Sequence, residues 1–241
     1  MKVIKYLTNL GYGSRREVTE MVKHRRVTRT DGSTVRGADA FAHSELLVDG
    51  KPLDVAPGTV IMLHKPVGYV CSTKDATRLI YELLPPRFTA RSPVMAPVGR
   101  LDRDTSGLLL ITDDGKINHR LTSPKAHMPK VYDVQLASDL RGDEGGIFAS
   151  GTLMLDGEPT ALRPAELEVL GARAARVTVT EGRYHQVRRM FAAVGNRVEG
   201  LHRRSIGRLL LGDLPQGAWR EVNAHELVLL GVSTFGDGHT G

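Results

Sequence analysis

Two spacings of apolar residues run along the chain and predict where its helices and strands lie. Over 185–194 the apolar residues recur at i, i+3, i+4 and i+7 and a Gly-Asn pair ends the pattern, which is typical of an amphipathic helix. Over 130–136 apolar and polar residues alternate, which predicts a half-buried strand. The same signals predict further helices at 3–10, 78–84, 116–121, 143–149 and 224–230, and further strands at 27–30, 45–48, 60–63, 69–72, 162–169, 175–180, 197–201, 208–211 and 219–222. Strands in runs with helices between them predict an α+β fold on a largely antiparallel sheet.

A second helix near the N-terminus is predicted to have an apolar side and a basic side. Ser14-Arg15-Arg16-Glu17 has the spacing of a capping box, in which the Ser and Glu side chains each accept a hydrogen bond from the other's backbone amide. Val18, Met21 and Val22 then form an apolar stripe. The other side carries basic residues: Arg15, Arg16, Lys23, Arg25 and Arg26. We therefore expect a small module over 1–54 that is packed on one side and electropositive on the other.

The chain divides most naturally at 55–59. Pro57 and Gly58 interrupt both helical and strand patterns there, which is typical of a linker. A second domain is then expected over 60–232, and the polar, glycine-containing residues 233–241 are expected to form a frayed tail.

Charge and cysteine content narrow the possible partners and compartment. Lys and Arg exceed Asp and Glu by 33 to 27, and basic residues cluster at 14–29 and 183–208, which indicates a polyanionic partner unless both clusters are merely solvated faces. The single cysteine, Cys71, excludes an intramolecular disulfide and favours a reducing cytoplasm. No apolar run approaches the roughly 18 residues that span a bilayer, and no signal peptide is predicted.

Residues 98–115 contain several candidate catalytic side chains. Arg100, Asp102, Asp104 and a Thr-Ser-Gly turn lead directly into four apolar residues of a predicted strand. The spacing nearly fits a calcium loop, but Asp113 stands where Glu is expected and the apolar residues occupy the ligand-bearing half, so no metal site is expected. A paired-carboxylate hydrolase is a second possibility. Asp104 and the Asp pair before Gly115 are more typical of turns and a helix start.

Four motifs in this order resemble those of the RNA pseudouridine synthases of the RsuA/RluA superfamily. The central one is Gly-Arg-Leu-Asp at 99–102, followed by Thr-Ser-Gly-Leu-Leu-Leu and Thr-Asp-Asp-Gly. The others are His-Lys-Pro-x-Gly at 64–68, Lys-Val-Tyr at 130–132 and Glu-Gly-Arg-Tyr-His-Gln-Val-Arg-Arg-Met at 181–190. Residues 1–54 resemble the S4 RNA-binding domain. Together these features resemble the RsuA type, which modifies small-subunit ribosomal RNA.

The resemblance implies an isomerase that converts one uridine of 16S ribosomal RNA to pseudouridine, with no metal or other cofactor. It makes Asp102 the nucleophile acting on a flipped-out uridine, since an ionised carboxylate is needed beside the ribose. It makes Arg188 the cation that keeps this carboxylate charged, and Tyr132 the ring that stacks on the uracil. Arg100 is expected to fill the gap that the flipped base leaves. The partner implied is a pre-ribosomal small-subunit particle, bound by a monomer away from any membrane.

The remaining basic residues of these motifs are expected to contact RNA phosphates on both sides of the target uridine. With Arg100, the expected RNA contacts are Arg15, Arg16, Lys23, Arg25, Arg26, Arg183, His185, Arg189, Arg203 and Arg204. Two other functions stay open from the sequence: a related synthase acting on large-subunit 23S RNA, and a non-catalytic RNA-binding or ribosome-assembly factor with the same fold.

Overall fold

A computed structural model describes residues 2–72 and 78–232, and it has the predicted α+β composition. The predicted tail at 233–241 lies outside the described residues. The α-helices are α1 (Val3–Asn9), α2 (Arg15–Lys23), α3 (Arg87–Ala90), α4 (Gly115–Thr122), α5 (Glu144–Ala149), α6 (Gln186–Ala193) and α7 (Ala224–Leu229). The strands are β1 (Val27–Arg29), β2 (Leu46–Val48), β3 (Lys51–Pro52), β4 (Val60–Lys65), β5 (Ala96–Val98), β6 (Thr105–Thr112), β7 (Lys130–Leu136), β8 (Glu166–Gly171), β9 (Ala174–Val179), β10 (Val198–Ile206), β11 (Leu209–Leu210) and β12 (Trp219–Glu221).

The N-terminal part has its own small core. Helices α1 and α2 pack on a three-stranded antiparallel sheet in the order β1-β2-β3, and Val3, Leu7 and Val18 are fully buried among them. The capping box at the start of α2 is confirmed: the Ser14 hydroxyl accepts from the Glu17 amide, and the Glu17 carboxylate accepts from the Ser14 amide. The cap satisfies backbone donors that a helix start otherwise leaves free.

The rest of the chain is built on one large sheet in the order β12-β4-β6-β10-β7-β9-β8, with β5 and β11 attached at β6 and β10. Every pairing is antiparallel except that of β6 with β10, so the predicted largely antiparallel sheet is confirmed. Apolar side chains cover both faces of β4 and β6, because successive residues point to opposite sides: Leu63 and Leu109 join one core, Met62 and Leu110 the other. The middle strands are therefore rigid supports for the loops at their ends.

The segment predicted as a linker is bound to the large sheet. Val55 is buried in the larger core, and its carbonyl accepts from Arg91. Arg91, whose side chain is fully buried, also pairs with Asp113 at 3.1 Å, and the second oxygen of that carboxylate accepts from the Gly58 amide at 2.7 Å. Asp113 therefore does more than shape a turn. Its neighbour Asp114 caps α4, as predicted, by accepting from two backbone amides of the first helical turn.

Three predicted strands have clearly different bounds in the structure, and a fourth is absent. His64 and Lys65 do not interrupt the strand that begins at Val60, because they continue its pairing with β6 as far as Gly107. The prediction of a strand at 69–72 is wrong. Gly68 turns the chain with a φ of +96°, and only Val70 makes an isolated bridge, to Leu79. The predicted strand at 162–169 is shifted and shortened, to Glu166–Gly171, and the one at 197–201 is lengthened, to Val198–Ile206.

Candidate active site

A cavity of about 520 Å³ brings together residues from motifs that are far apart in the sequence. Its walls are the loop between β5 and β6, the start of β7, the segment that leads into α6, and part of β10. Asp102, Tyr132 and His185 all line it. The basic residues on its walls are Arg100, Arg103, Lys130, Arg183 and Arg203. The cavity therefore brings a carboxylate and an aromatic ring together with five basic side chains.

The loop that carries Asp102 is held from behind by Lys65. This lysine is fully buried at the end of β4, and its Nζ donates to the backbone oxygens of Asp102 at 2.9 Å and Thr105 at 2.8 Å. The Gly68 amide donates to the Arg103 oxygen at 2.7 Å. Burial lowers the pKa of Lys65, while the Asp102 charge acts in the opposite direction. The Lys-Pro-x-Gly motif thus places the Asp102 side chain, a role that sequence reasoning did not assign to Lys65.

His185 makes the side-chain contact with Asp102. Its Nε2 lies 3.3 Å from Asp102 Oδ1, and both side chains are about one-third exposed, at 38% and 30%. His185 immediately precedes α6 and has a left-handed backbone, with φ at +50° and ψ at +32°, which is uncommon for a residue with a side chain. This backbone turn brings the imidazole to the carboxylate. The sequence predicted His185 only as an RNA contact.

Arg188 does not pair with Asp102 in this structure, contrary to the expectation from sequence. It pairs with Asp104, Nη2 to Oδ2 at 3.0 Å, and donates to the backbone oxygens of Asp104 and Val198. Its Nε is buried and has no hydrogen-bond partner in the part of the chain that the structure describes. The physical reason is that Arg188 lies one turn into α6 and reaches the far side of the loop, whereas His185, at the helix start, occupies the place beside Asp102.

Tyr132 and Lys130 line the cavity from the first residues of β7. Tyr132 is 9% exposed and contributes its ring to both the cavity wall and the larger core. Lys130 is partly buried, and its Nζ donates to the Met128 oxygen at 3.1 Å. Burial and, to a smaller extent, the nearby Arg203 charge lower the pKa of Lys130 to about 8. Lys130 belongs to the Lys-Val-Tyr motif, but the sequence alone predicted no role for it.

Arg203 is buried and is not part of a basic surface, and its predicted role as an RNA contact stays a prediction. The residue is 2% exposed, and its Nε donates to the Leu108 oxygen at 2.8 Å. Its Nη1 lies 3.4 Å from the Arg100 oxygen, and its Nη2 is buried with no partner among the described residues. Arg203 faces the cavity because it lies two residues beyond buried Leu201 on β10, where alternate side chains share a face. The next residue, Arg204, is exposed and pairs with Asp133 at 3.6 Å.

Arg183 and Arg189 are bound to acidic side chains within the protein, and their predicted role as RNA contacts stays a prediction. Both pair with Glu158, at 3.3 and 2.8 Å. Arg183 also pairs with Glu181 and donates to the backbone oxygens of Thr160 and Ala161. Charge-assisted bonds of this kind are strong when they are shielded from water. These two arginines therefore tie residues 156–161 to the segment that carries His185.

The basic residues predicted on the N-terminal helix are exposed, and they differ in whether they form ion pairs. Arg15, Arg16 and Arg25 make no ion pair within the described part of the chain. Lys23 pairs with Glu20 at 2.7 Å, and Arg26 makes two 2.7 Å hydrogen bonds to Asp49. Exposed pairs of this kind contribute little stability and exchange readily for another anion. Arg100, at the mouth of the cavity, is exposed, and no bond from its side chain to the described residues is seen.

Residues 2–72 and 78–232 contain neither a cluster of metal ligands nor a membrane-spanning helix. Within these ranges, no three His, Cys, Asp or Glu side chains lie close enough together to hold a metal ion. No helix in the same part of the chain is both long and apolar enough to cross a membrane.

Known proteins resemble this chain over nearly its full length. The family model described as RNA pseudouridylate synthase matches residues 59–193. The ribosomal small subunit pseudouridine synthase A of Escherichia coli (strain K12) is 41% identical over 233 residues, covering 94% of this chain and 98% of that protein. The protein of the same name from Pasteurella multocida (strain Pm70) is 40% identical over 231 residues, covering 94% and 98%.

A solved structure agrees with the sequence matches. The crystal structure of a pseudouridylate synthase has a TM-score of 0.67 and 35% sequence identity with this chain, covering 95% of this chain and 99% of that one. An uncharacterized RNA pseudouridine synthase of Bacillus subtilis (strain 168) is 38% identical over 239 residues, covering 95% and 98%. The chain therefore belongs to the RNA pseudouridine synthase family, as an enzyme of the RsuA type.

Proposed function

We propose that this pseudouridine synthase acts on small-subunit 16S ribosomal RNA, with uridine 516 as the expected target, and that Asp102 is its nucleophile. The observation that carries the residue assignment is the position of Asp102 in a cationic cavity, on a loop whose carbonyls are held by buried Lys65. The RNA assignment is supported by the relatives of 40 to 41% identity, which are named for the ribosomal small subunit.

The reaction requires the C1′–N1 bond to break, the uracil to turn in the site, and C5 to bond to C1′ in place of N1. It involves no net oxidation, hydrolysis or energy input, so side chains alone can supply the chemistry. One carboxylate beside the ribose serves three routes: attack at C1′, attack at C6, or proton abstraction toward a glycal. Tyr132 would stack on the flipped uracil from the cavity wall, and the unpartnered Nη2 of Arg203 offers a donor to the bound nucleotide.

Arg188 enters this proposal through a change of partner. In the structure it binds Asp104, in the loop before β6, and the carbonyl of Val198, the first residue of β10. RNA that displaces His185 from Asp102 would leave the carboxylate open to a second cation, and Arg188 is already bound to the next residues of the same loop. The pairing of Arg188 with Asp102 therefore belongs to the RNA-bound enzyme in this proposal.

RNA outside the target nucleotide would be held by two surfaces. Residues 1–54 would act as an S4-like RNA-binding domain, joined at 55–59 to a catalytic domain over 60–232, with its exposed basic helix facing RNA. Arg100 would fill the gap left by the flipped base, since it is exposed at the mouth of the cavity. A monomer acting in the cytoplasm on a pre-ribosomal particle is consistent with these surfaces.

The pKa of Lys130 predicts how RNA affinity changes with pH. Lysine is charged below its pKa, so with a pKa of about 8 Lys130 is mostly charged below that pH and mostly neutral above it. RNA phosphates favour the charged form, and we expect the affinity of the wild-type enzyme to fall about tenfold as Lys130 titrates, the effect of one charge-assisted contact. Filter binding at constant ionic strength would measure it. Lys130→Arg should show a flat profile over the same range, and an equal slope in both proteins would contradict the role of Lys130.

Mapping of modified nucleotides tests the target. Carbodiimide treatment and primer extension would be applied to ribosomal RNA from cells with the gene, without it, and with the gene restored. We expect one small-subunit pseudouridine to disappear and to return with the gene. Loss of a large-subunit site would assign the enzyme to 23S RNA instead, and no change in either RNA would contradict a ribosomal target.

A further inference from the structure

Tyr184 is an exposed aromatic residue directly beside the proposed catalytic carboxylate. Its side chain is among the large apolar groups left in solvent, at 74% exposure, and it lines the mouth of the Asp102 cavity. Its ring is stacked on the His185 ring, with centroids 3.8 Å apart and planes 19° from parallel. His185 in turn contacts Asp102 at 3.3 Å. One face of the phenol ring is thus covered by the imidazole.

Hydrogen bonds hold the backbone that carries this stack, although the ring itself is exposed. The Tyr184 carbonyl accepts from Arg189 Nη1 at 3.2 Å, and the same nitrogen binds Glu158 at 2.8 Å. The Arg183 amide donates to Gln186 Oε1 at 3.0 Å, which closes the turn just before α6. A pre-ordered ring loses little conformational entropy when a ligand stacks on it. The turn is therefore built to present an aromatic surface at the cavity mouth.

We propose that the outer face of Tyr184 is a stacking subsite for the base of a nucleotide next to the target uridine. The inference rests on the proposed function, because the neighbour of a flipped nucleotide must lie at the mouth of the cavity. Flipping unstacks that neighbouring base, and an aromatic side chain restores the lost contact. The basic lining of the cavity favours an RNA strand over an apolar partner on the same surface.

Steady-state kinetics of three proteins tests the subsite: the wild type, Tyr184→Ala and Tyr184→Phe, with an RNA fragment that contains the mapped uridine. Loss of one base–aromatic stack costs about tenfold in affinity. We therefore expect Tyr184→Ala to raise KM about tenfold with kcat nearly unchanged, because stacking outside the reacting atoms is the same in ground and transition states. Tyr184→Phe keeps the ring and should behave as the wild type.

A fluorescent base shows where the stack forms. RNA with 2-aminopurine on the 5′ or 3′ side of the target should lose fluorescence at one of these positions on binding the wild type or Tyr184→Phe, but not Tyr184→Ala. Unchanged KM in Tyr184→Ala, equal quenching by all three proteins, or a Tyr184→Phe defect equal to that of Tyr184→Ala would overturn the subsite. If the wild type binds RNA and quenches the probe but forms no pseudouridine, the proposed function fails while the subsite stands.

Discussion

Replacing Asp102 with asparagine is expected to abolish pseudouridine formation, with a loss of about 10⁴-fold or more in kcat. Losses of this size follow when the group that attacks the substrate is removed, because the remaining site binds but does not react. The amide keeps the size of the carboxylate but cannot act as the nucleophile. The Asp102 side chain is 30% exposed and, among residues 2–72 and 78–232, its ion pair is with His185, so the free energy of unfolding should change by less than about 1 kcal/mol.

The measurement combines tritium release from 5-³H-uridine RNA with thermal unfolding of the same preparations. Asp114→Asn is the matched control: it changes another aspartate of the same motif, at the α4 N-cap outside the cavity, where Asn caps as well as Asp does. We expect the control to retain activity and stability. Turnover by Asp102→Asn within tenfold of the control would falsify the assignment of Asp102.

The local patterns of the sequence predicted most helices and strands correctly, since they depend on neighbouring residues. The spacing over 185–194 corresponds to α6, and the alternation over 130–136 corresponds to β7 with identical bounds. The Ser14 capping box was also predicted from four adjacent residues and is present. Such features need no information about distant parts of the chain. They explain why the α+β class was accessible from sequence alone.

The positions of charged side chains were predicted less well, because burial depends on the partner that folding supplies. Arg183, Arg189 and Arg203 lie in one basic stretch of the sequence, which looks like a surface. In the fold, Arg183 and Arg189 pair with Glu158, and a backbone oxygen of β6 accepts a hydrogen bond from Arg203. A sequence-level signal existed for Arg203, which is two residues beyond apolar Leu201 and so shares its face of a strand. The predicted strand ends at 201, two residues before Arg203, whereas β10 continues to Ile206.

Two buried cations, Lys65 and Arg203, lie beneath the Asp102 loop. Lys65 and Arg203 come from β4 and β10, which both pair with β6, and both donate to backbone oxygens of the loop between 100 and 105. A buried cation is costly unless several acceptors surround it. Here the carbonyls of the loop are those acceptors, so the sheet holds the loop and the loop satisfies the cations. The position of Asp102 is thus coupled to the close pairing of β6 with its neighbours.

Gly107 is the residue that permits this close pairing, and Gly107→Ala is expected to destabilise the protein by about 4 kcal/mol. Gly107 lies opposite Arg203 in the parallel pairing of β6 with β10, and its φ is +113°. A Cβ at this position would lie 2.3 Å from the Arg203 backbone oxygen and 2.6 Å from its nitrogen. These are backbone atoms within a sheet, so they cannot move aside without separating the strands. Both backbone strain and overpacking therefore act against alanine.

Denaturant unfolding of the purified variants measures this effect, with Gly115→Ala as the control. Gly115 begins α4 in the same motif, has no positive φ, and a Cβ there meets nothing within 4 Å, so alanine should be neutral or stabilise the helix by up to about 1 kcal/mol. Gly107→Ala should also lose kcat in the folded fraction, because separating β6 from β10 pulls Arg203 away from the Arg100 carbonyl and releases the Asp102 loop. Equal stability of the two variants would show that β6 and β10 tolerate a side chain between them.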